Sequence, residues 1–136
     1  MPTPSHLKIP LVYIIEDEAP LRTALSDALQ HAFALVQSAA TGAEARVLFD
    51  KYQADLVILD LMLPDEDGVT LLEAARGLPG YADTPFLICS NLMLPEVVAA
   101  CNQYPPVAFY EKVNMQLSQV VSVVQDLVER FPRRPV

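Results

Sequence analysis

Short apolar runs alternate along the chain with segments in which apolar residues recur every three or four positions. The runs predict five β-strands, at Leu11 to Ile15, Ala34 to Gln37 (the weakest), Leu56 to Leu59, Phe86 to Cys89 and Val107 to Tyr110. Three of them, LVYII, LVIL and FLIC, are apolar without alternation, which is typical of strands covered by helices on both faces. The alternation of strands and helices predicts βα units around a parallel sheet.

Five helical segments follow the strands. They are predicted to begin near Pro20, Thr41, Val69, Pro95 and Met115. Thr41 and Glu44 have the spacing of a capping box, which marks the start of a helix. The third helix is predicted to run to Arg76 and to end at Gly77 in a left-handed cap.

The length of the chain bounds the number of domains. With 136 residues it can bury one sizeable core and is too short for two ordinary domains. We predict one domain over residues 11–131, an N-terminal extension over residues 1–10 and a C-terminal tail over residues 132–136.

The acidic balance excludes one class of partner. Seventeen acidic residues against nine basic ones give a formal charge of −8, whereas nucleic-acid binding depends on clustered Lys and Arg. No apolar stretch approaches the roughly 20 residues that cross a bilayer, and the first residues lack the pattern of a secretory signal. We therefore predict a soluble, cytoplasmic protein that binds neither nucleic acid nor membrane.

Several other site classes are disfavoured. Cys89 and Cys101 have neither CxxC nor Cys/His spacing, so we interpret them as packing residues rather than zinc or redox ligands. With four glycines the chain has neither a GxGxxG nor a P-loop motif, which disfavours a nucleotide-binding domain. His6 and His31 lack catalytic partners in the sequence and are predicted to lie on the surface.

Polar side chains follow the predicted strands at the points where the strands end. Glu16 and Asp17 follow the first strand, Asp60 the third, Ser90 the fourth and Lys112 the fifth. Ligand sites in open parallel sheets form at the carboxyl ends of the strands. If the first, third and fifth strands are neighbours, these carboxylates, the hydroxyl and the ammonium group meet at one edge of the sheet.

Three carboxylates brought together repel one another unless a cation neutralises them. A hard divalent cation such as Mg²⁺, bound by carboxylate and carbonyl oxygens, suits such a site. The same cation would neutralise charge on a phosphoryl group, while Lys112 and Ser90 bind its other oxygens. Asp60 would then be the nucleophile that forms an acyl phosphate.

This set of residues resembles the receiver domain of response regulators in two-component signalling. The acidic pair of that family matches Glu16 and Asp17, its phosphoacceptor Asp60, its Ser/Thr Ser90 and its lysine Lys112. The segment DLMLPDEDG follows the family pattern as well, and the resemblance extends from Leu11 to Arg130. It implies a flavodoxin-like (βα)5 doubly wound α/β sandwich with a five-stranded parallel sheet in the order 2-1-3-4-5.

The resemblance also implies roles for individual residues. Those implied to bind Mg²⁺ are Glu16, Asp17, Asp60 and Met62, the last through its backbone carbonyl. Ser90 and Lys112 would bind the phosphoryl group, and Phe109 would be the aromatic residue that moves on activation. The donor would be a histidine kinase or a histidine phosphotransfer protein, and the domain would be a signalling switch rather than an enzyme. We see no output module after residue 131 and therefore expect a stand-alone receiver that acts on a downstream protein target.

Four positions depart from the family pattern. Val113 replaces the proline that usually follows the lysine through a cis peptide. A cis bond before a non-proline residue costs about 2.5–4 kcal/mol, so this loop either bears strain or takes another path. Asn91 stands where a small residue usually controls access to the phosphoryl group. Met62 and Leu92 place apolar side chains where water would attack the acyl phosphate, and we therefore predict slow self-dephosphorylation.

The fourth and fifth helices carry many apolar residues. Val113 and Val123 lie outside the core stripe of the fifth helix, and more apolar residues surround the fourth. These are Leu92, Met93, Leu94, Val97 and Val98. Because receivers use this face to bind partners or to dimerise, an exposed patch here would favour a homodimer or partner interface. The alternative is that these residues only thicken the core.

Two other functions stay open. A pseudo-receiver, acting as a protein-interaction scaffold without phosphorylation, is supported by Asn91 and Val113. A phosphatase of the haloacid dehalogenase type is disfavoured, because its Asp-x-Asp motif is absent at Asp60, where two apolar residues follow. The acidic residues after Pro64 are interpreted as a solvated turn rather than as further metal ligands. They are Asp65, Glu66 and Asp67.

Overall fold

The computed structural model describes residues 8–91 and 93–133. The elements are β1 (Leu11–Ile15), α1 (Ala19–Ala32), β2 (Leu35–Ala39), α2 (Gly42–Lys51), β3 (Leu56–Leu59), α3 (Gly68–Arg76), β4 (Phe86–Ser90), α4 (Pro95–Cys101), β5 (Val107–Glu111) and α5 (Leu117–Arg130). All strand pairs are parallel, and the sheet order is β2-β1-β3-β4-β5. The predicted fold class and strand order are confirmed. Because β4 lies between β3 and β5, the simpler assumption that the third and fifth strands are neighbours is wrong.

Both faces of the sheet are covered by helices. In β1, Tyr13 and Ile15 belong to the core that α2, α3 and α4 cover, whereas Val12 and Ile14 belong to the core with α1 and α5. All four residues of β3 are buried. Burial on both faces explains why the strand sequences show no polar alternation.

Some element boundaries and one cap differ from the sequence predictions. β2 begins one residue later than predicted and extends to Ala39, and β4 and β5 each extend one residue further. Gly77 has φ −86°, so the predicted left-handed cap is wrong. Arg133, from the predicted tail, donates a hydrogen bond of 2.5 Å to the carbonyl of Gln53. This tail residue therefore packs on the fold.

The two cysteines lie in the core, and His31 lies on the surface. Cys89 and Cys101 are buried among core residues, and burial raises the pKa of the Cys89 thiol to about 12. His31 is exposed, as predicted. His6 lies outside the described residues, with the rest of residues 1–7 and with residues 134–136.

In the described part of the chain, no helix has the length and apolar content that a membrane crossing needs. The cytoplasmic location stays a prediction.

Arg76, the last residue of α3, ties this helix to two loops at the amino-terminal ends of β4 and β5. Its guanidinium lies over the ring of Phe86, 4.9 Å from the centroid. Burial lowers the pKa of Arg76 to about 10, opposed by the nearby charge of Asp83, so the side chain stays charged near neutral pH. It donates four hydrogen bonds of 2.6 to 3.1 Å to the backbone carbonyls of Tyr81, Thr84, Tyr104 and Pro106.

Replacing Arg76 with methionine is expected to lower the free energy of unfolding by about 2–3 kcal/mol, because four carbonyls lose a charged donor. Urea unfolding measures this change. Arg130→Met is the matched control, since it removes an exposed ion pair with Asp126 that contributes about 0.5 kcal/mol. Equal losses in the two variants would contradict a stabilising role specific to Arg76.

Candidate functional site

Two strands place buried carboxylates side by side at their carboxyl ends. Glu16 directly follows β1 and is 2% exposed, and Asp60 directly follows β3 and is 4% exposed. The backbone N–H of Asp60 donates to the carbonyl of Ile15 at 3.0 Å, which holds the ends of the two strands together. The Asp60 side chain accepts a hydrogen bond of 3.1 Å from the N–H of Met62 through Oδ1. The carboxylates are thus fixed by the sheet and by the loop after β3.

Lys112 reaches both carboxylates across the end of β4. Its Nζ lies 2.8 Å from Oδ2 of Asp60 and 2.7 Å from Oε1 of Glu16. The more exposed Glu18 is farther away, at 3.5 Å. The backbone N–H of Lys112 donates to the carbonyl of Ser90 at 3.2 Å, so the last residue of β4 helps to position it. The sequence prediction that Asp60, Glu16 and Lys112 meet at one edge is consistent with this geometry.

Burial and ion pairing act in opposite directions on these groups. Burial raises the pKa of Glu16, and the hydrogen bond from Lys112 opposes that rise. Burial also works against the charge of Lys112, but its bonds to Asp60 and Glu16 outweigh burial and raise its pKa. We conclude that Lys112 is charged at neutral pH and is the counter-ion of the two buried carboxylates.

The acidic side chains form a cluster with the oxygen donors that a hard cation requires. Glu16, Asp17 and Asp60 each offer a carboxylate oxygen, and these oxygens lie within 4.8 Å of one another. Asp17 is exposed, whereas its two neighbours are buried, so the cluster opens to solvent on one side. Such a set of oxygens fits Mg²⁺, which is usually bound by one or two carboxylates together with water.

Arg22 in α1 is a residue of the site that sequence reasoning missed. Its Nη1 donates to the carbonyl of Glu16 at 2.7 Å and lies 3.4 Å from that of Asp17. Glu18 adds a second constraint, because its N–H donates to Oε2 of Glu16 at 3.1 Å. The only signal in the sequence is a basic residue one helical turn after the acidic run, which is too common to indicate a contact.

The remaining predicted residues lie around this cluster. Ser90 is buried at the end of β4, and Phe109 in β5 is half-buried against the core next to α4. Met62 and Asn91 are exposed in the loops after β3 and β4. Leu92 lies outside the described residues, and its predicted effect on dephosphorylation stays a prediction.

The loop after Lys112 takes another path rather than a cis peptide. In the described ranges the one cis bond joins Pro105 and Pro106, so the bond between Lys112 and Val113 is trans. Asn114 has φ 63°, a left-handed conformation that asparagine tolerates better than most residues. The alternative of a strained non-proline cis bond is therefore wrong.

The acidic turn after Pro64 is not simply solvated, which corrects the sequence interpretation. Asp65 accepts hydrogen bonds from two N–H groups at the start of α2, and Glu66 pairs with Arg46. Asp67 is the N-cap of α3 and accepts from the N–H of Val69 at 2.8 Å. Among the described residues, none of these three acids belongs to the cluster formed by Glu16, Asp17 and Asp60.

Comparison with known proteins points to one family. A family model described as response regulator receiver domain matches residues 12–115. The transcriptional regulatory protein TrcR of Mycobacterium tuberculosis is 35% identical over 86 residues, which make up 63% of this chain and 34% of TrcR. The chemotaxis protein CheY of Bacillus subtilis is 30% identical over 82 residues, 60% of this chain and 67% of CheY. The match thus spans about a third of the length of TrcR.

Solved structures show the same fold. The chemotaxis response regulator CheY4 of Vibrio cholerae has a TM-score of 0.82 at 24% identity, covering 88% of this chain and 99% of that one. The receiver domain of the Francisella response regulator 1452 has a TM-score of 0.78 at 22% identity, covering 89% and 98%. At these identities the likeness shows the fold alone.

Proposed function

Because the chain belongs to the response regulator receiver domain family, we propose that it is a Mg²⁺-dependent phosphoryl switch whose acceptor is Asp60. The observation that carries the proposal is the position of this buried carboxylate. It touches the ammonium group of Lys112 on one side and shares an oxygen cluster with Glu16 and Asp17 on the other. The donor would be a phosphohistidine of a histidine kinase or of a histidine phosphotransfer protein.

The chain's own groups support this chemistry. A carboxylate oxygen of Asp60 would attack phosphorus, forming an O–P bond while the P–N bond to the donor imidazole breaks. Lys112 would stay close to Asp60 and bind a phosphoryl oxygen, and Ser90 would bind another. Glu16, Asp17, Asp60 and the carbonyl of Met62 would hold Mg²⁺, which would neutralise charge on the transferring group.

The output would be a change of protein-binding surface. A phosphoryl group at Asp60 would favour a state in which Ser90 moves toward it and Phe109 rotates. Three exposed apolar side chains on nearby elements support an interface at α4 and α5, for a downstream protein or a second copy. They are Leu94 (46% exposed), Val113 (60%) and Leu117 (36%).

The test is the intact mass of the wild-type protein after incubation with a small-molecule phosphodonor, with and without Mg²⁺. We expect one phosphoryl adduct that requires Mg²⁺ and that hydroxylamine removes, because an acyl phosphate is cleaved by this nucleophile. Following the adduct after removal of the donor tests the predicted slow self-dephosphorylation, and decay within seconds would contradict it. Absence of any adduct would favour the alternative of a pseudo-receiver scaffold. Val113 and Asn91, which depart from the family pattern, support that alternative.

A further inference from the structure

The loop between β3 and α3 is fastened to the first turn of α2. Asp65 accepts a hydrogen bond of 2.8 Å from the N–H of Gly42 through Oδ1 and one of 3.0 Å from the N–H of Ala43 through Oδ2. The first N–H groups of a helix have no acceptor within the helix, so Asp65 satisfies two of them from another element. A carboxylate at this end also interacts favourably with the helix dipole.

A second contact lies beside the first. Glu66 forms a bidentate ion pair with Arg46 of α2. Nη2 of Arg46 donates to Oε1 at 2.8 Å, and Nε donates to Oε2 at 3.2 Å. The Glu66 side chain crosses the backbone of Gly42 so closely that a Cβ atom there would lie 2.0 Å from Oε2. A side chain at this position would displace Glu66 from the place that it occupies here. We call the contacts of Asp65 and Glu66 with Gly42, Ala43 and Arg46 the α2 tether.

The α2 tether acts on the loop that contains Asp60 of the acidic cluster and Met62, whose carbonyl is the further ligand under the proposed function. This loop begins at Asp60, continues through Met62 and ends at Asp67, where Met62 and Asp67 form an isolated antiparallel bridge. The N–H of Gly68 donates to the carbonyl of Leu61 at 2.8 Å, which closes the base of the loop. The base is thus fixed by bonds within the loop, whereas the tip is fixed by its bonds to α2.

We propose that Asp65 is a positioning residue that holds the loop after β3 in the path that directs the Met62 carbonyl to the cation site. This inference rests on the proposed function, because it requires the acidic cluster to bind Mg²⁺. If the α2 tether strengthens cation binding, then cation binding must stabilise the α2 tether by the same free energy, because coupling between two sites is reciprocal. Cation binding should therefore slow hydrogen exchange at the amides of Gly42 and Ala43, although these amides belong to another element.

The experiment compares Mg²⁺ affinity, by isothermal titration calorimetry, in the wild type and in Asp65→Ala. Substitution of a residue that supports a metal ligand typically weakens metal affinity about ten-fold or more. We therefore expect Asp65→Ala to weaken Mg²⁺ binding on the order of ten-fold. Thr41→Ala is the matched control, because Thr41 caps the same helix through the N–H of Glu44, whereas the hydrogen bonds from the loop to this helix end are made by Asp65. It should lower the melting temperature as Asp65→Ala does and leave Mg²⁺ affinity within about two-fold of wild type.

Two further measurements separate positioning from simple charge loss. Asp50→Asn removes an exposed acid elsewhere on α2, and titrations at about 0.3 M salt screen long-range charge effects. Hydrogen exchange at Gly42 and Ala43 should slow with Mg²⁺ in the wild type and in Thr41→Ala. Should Asp65→Ala fail to fold, Asp65→Asn keeps one acceptor and should give an intermediate affinity.

The outcomes distinguish this inference from the proposed function. Wild-type protein that fails to bind Mg²⁺ would overturn both. If the wild type binds Mg²⁺ and Asp65→Ala binds it with the same affinity, the positioning role alone would be overturned. The same would follow if Asp50→Asn weakened Mg²⁺ binding as much as Asp65→Ala does. Weaker binding confined to Asp65 variants, together with Mg²⁺-dependent protection of the Gly42 and Ala43 amides, would support it.

Discussion

Replacing Asp60 with asparagine is expected to abolish the phosphoryl adduct completely. The amide has nearly the same shape as the carboxylate and can still accept the 3.1 Å hydrogen bond from the N–H of Met62, so the fold should persist. It lacks the nucleophilic carboxylate oxygen that forms an acyl phosphate. Intact mass after incubation with a phosphodonor and Mg²⁺ measures the loss, and circular dichroism checks the fold.

Asp67→Asn is the matched control for this variant. It makes the same chemical change in the same loop, at a residue that caps α3 through the N–H of Val69. Asparagine caps helices about as well as aspartate, so stability should change little. We expect the control to keep a full adduct. An adduct that persists in Asp60→Asn would mean that another carboxylate, such as the exposed Asp17, is the acceptor.

The fold and the centre of the site follow from local features of the sequence. Apolar runs without alternation identify doubly covered strands, as in the fully buried β3. In a parallel sheet all carboxyl ends lie at one edge, so residues that directly follow strands meet there. The sequence alone therefore predicts that Glu16, Asp60 and Lys112 lie close together. The contacts of Lys112 at 2.7 and 2.8 Å agree with that expectation.

The parts that could not be predicted depend on the path of loops between elements. The contact of Arg22 with the Glu16 carbonyl requires the turn after β1 to fold back onto α1. Asp65 resembles any acid in a proline-containing turn, and its partners are backbone groups of α2, 22 and 23 residues away in sequence. Backbone donors carry no signature in the sequence. The sequence also left open whether the bond between Lys112 and Val113 is cis or trans, because the packing around this loop decides its path. The bond is trans.

Lys112→Met is expected to lower the free energy of unfolding by about 3 kcal/mol near neutral pH, because it leaves two buried carboxylates without their counter-ion. The side chains of Glu16 and Asp60 are only 2% and 5% exposed in these ion pairs. Urea unfolding measures the loss. Lys51→Met, at an exposed lysine in the last turn of α2, is the matched control and should lose less than about 1 kcal/mol.

The pH dependence of this variant identifies the cause. Burial raises the pKa of Glu16 and Lys112 opposes the rise, so without Lys112 this carboxyl should hold its proton to higher pH in the native state than in the unfolded state. A group that binds more protons in the native state makes stability fall as pH rises. The stability of Lys112→Met should therefore fall as pH rises above the ordinary pKa of a glutamate, so its loss relative to wild type should be smaller at about pH 5 than at about pH 7.5. Added Mg²⁺ should recover part of the stability at the higher pH, because the cation binds the native state and takes the place of the missing ammonium charge. A loss that is independent of both pH and Mg²⁺ would instead indicate that Lys112 stabilises the protein through the packing of its side chain.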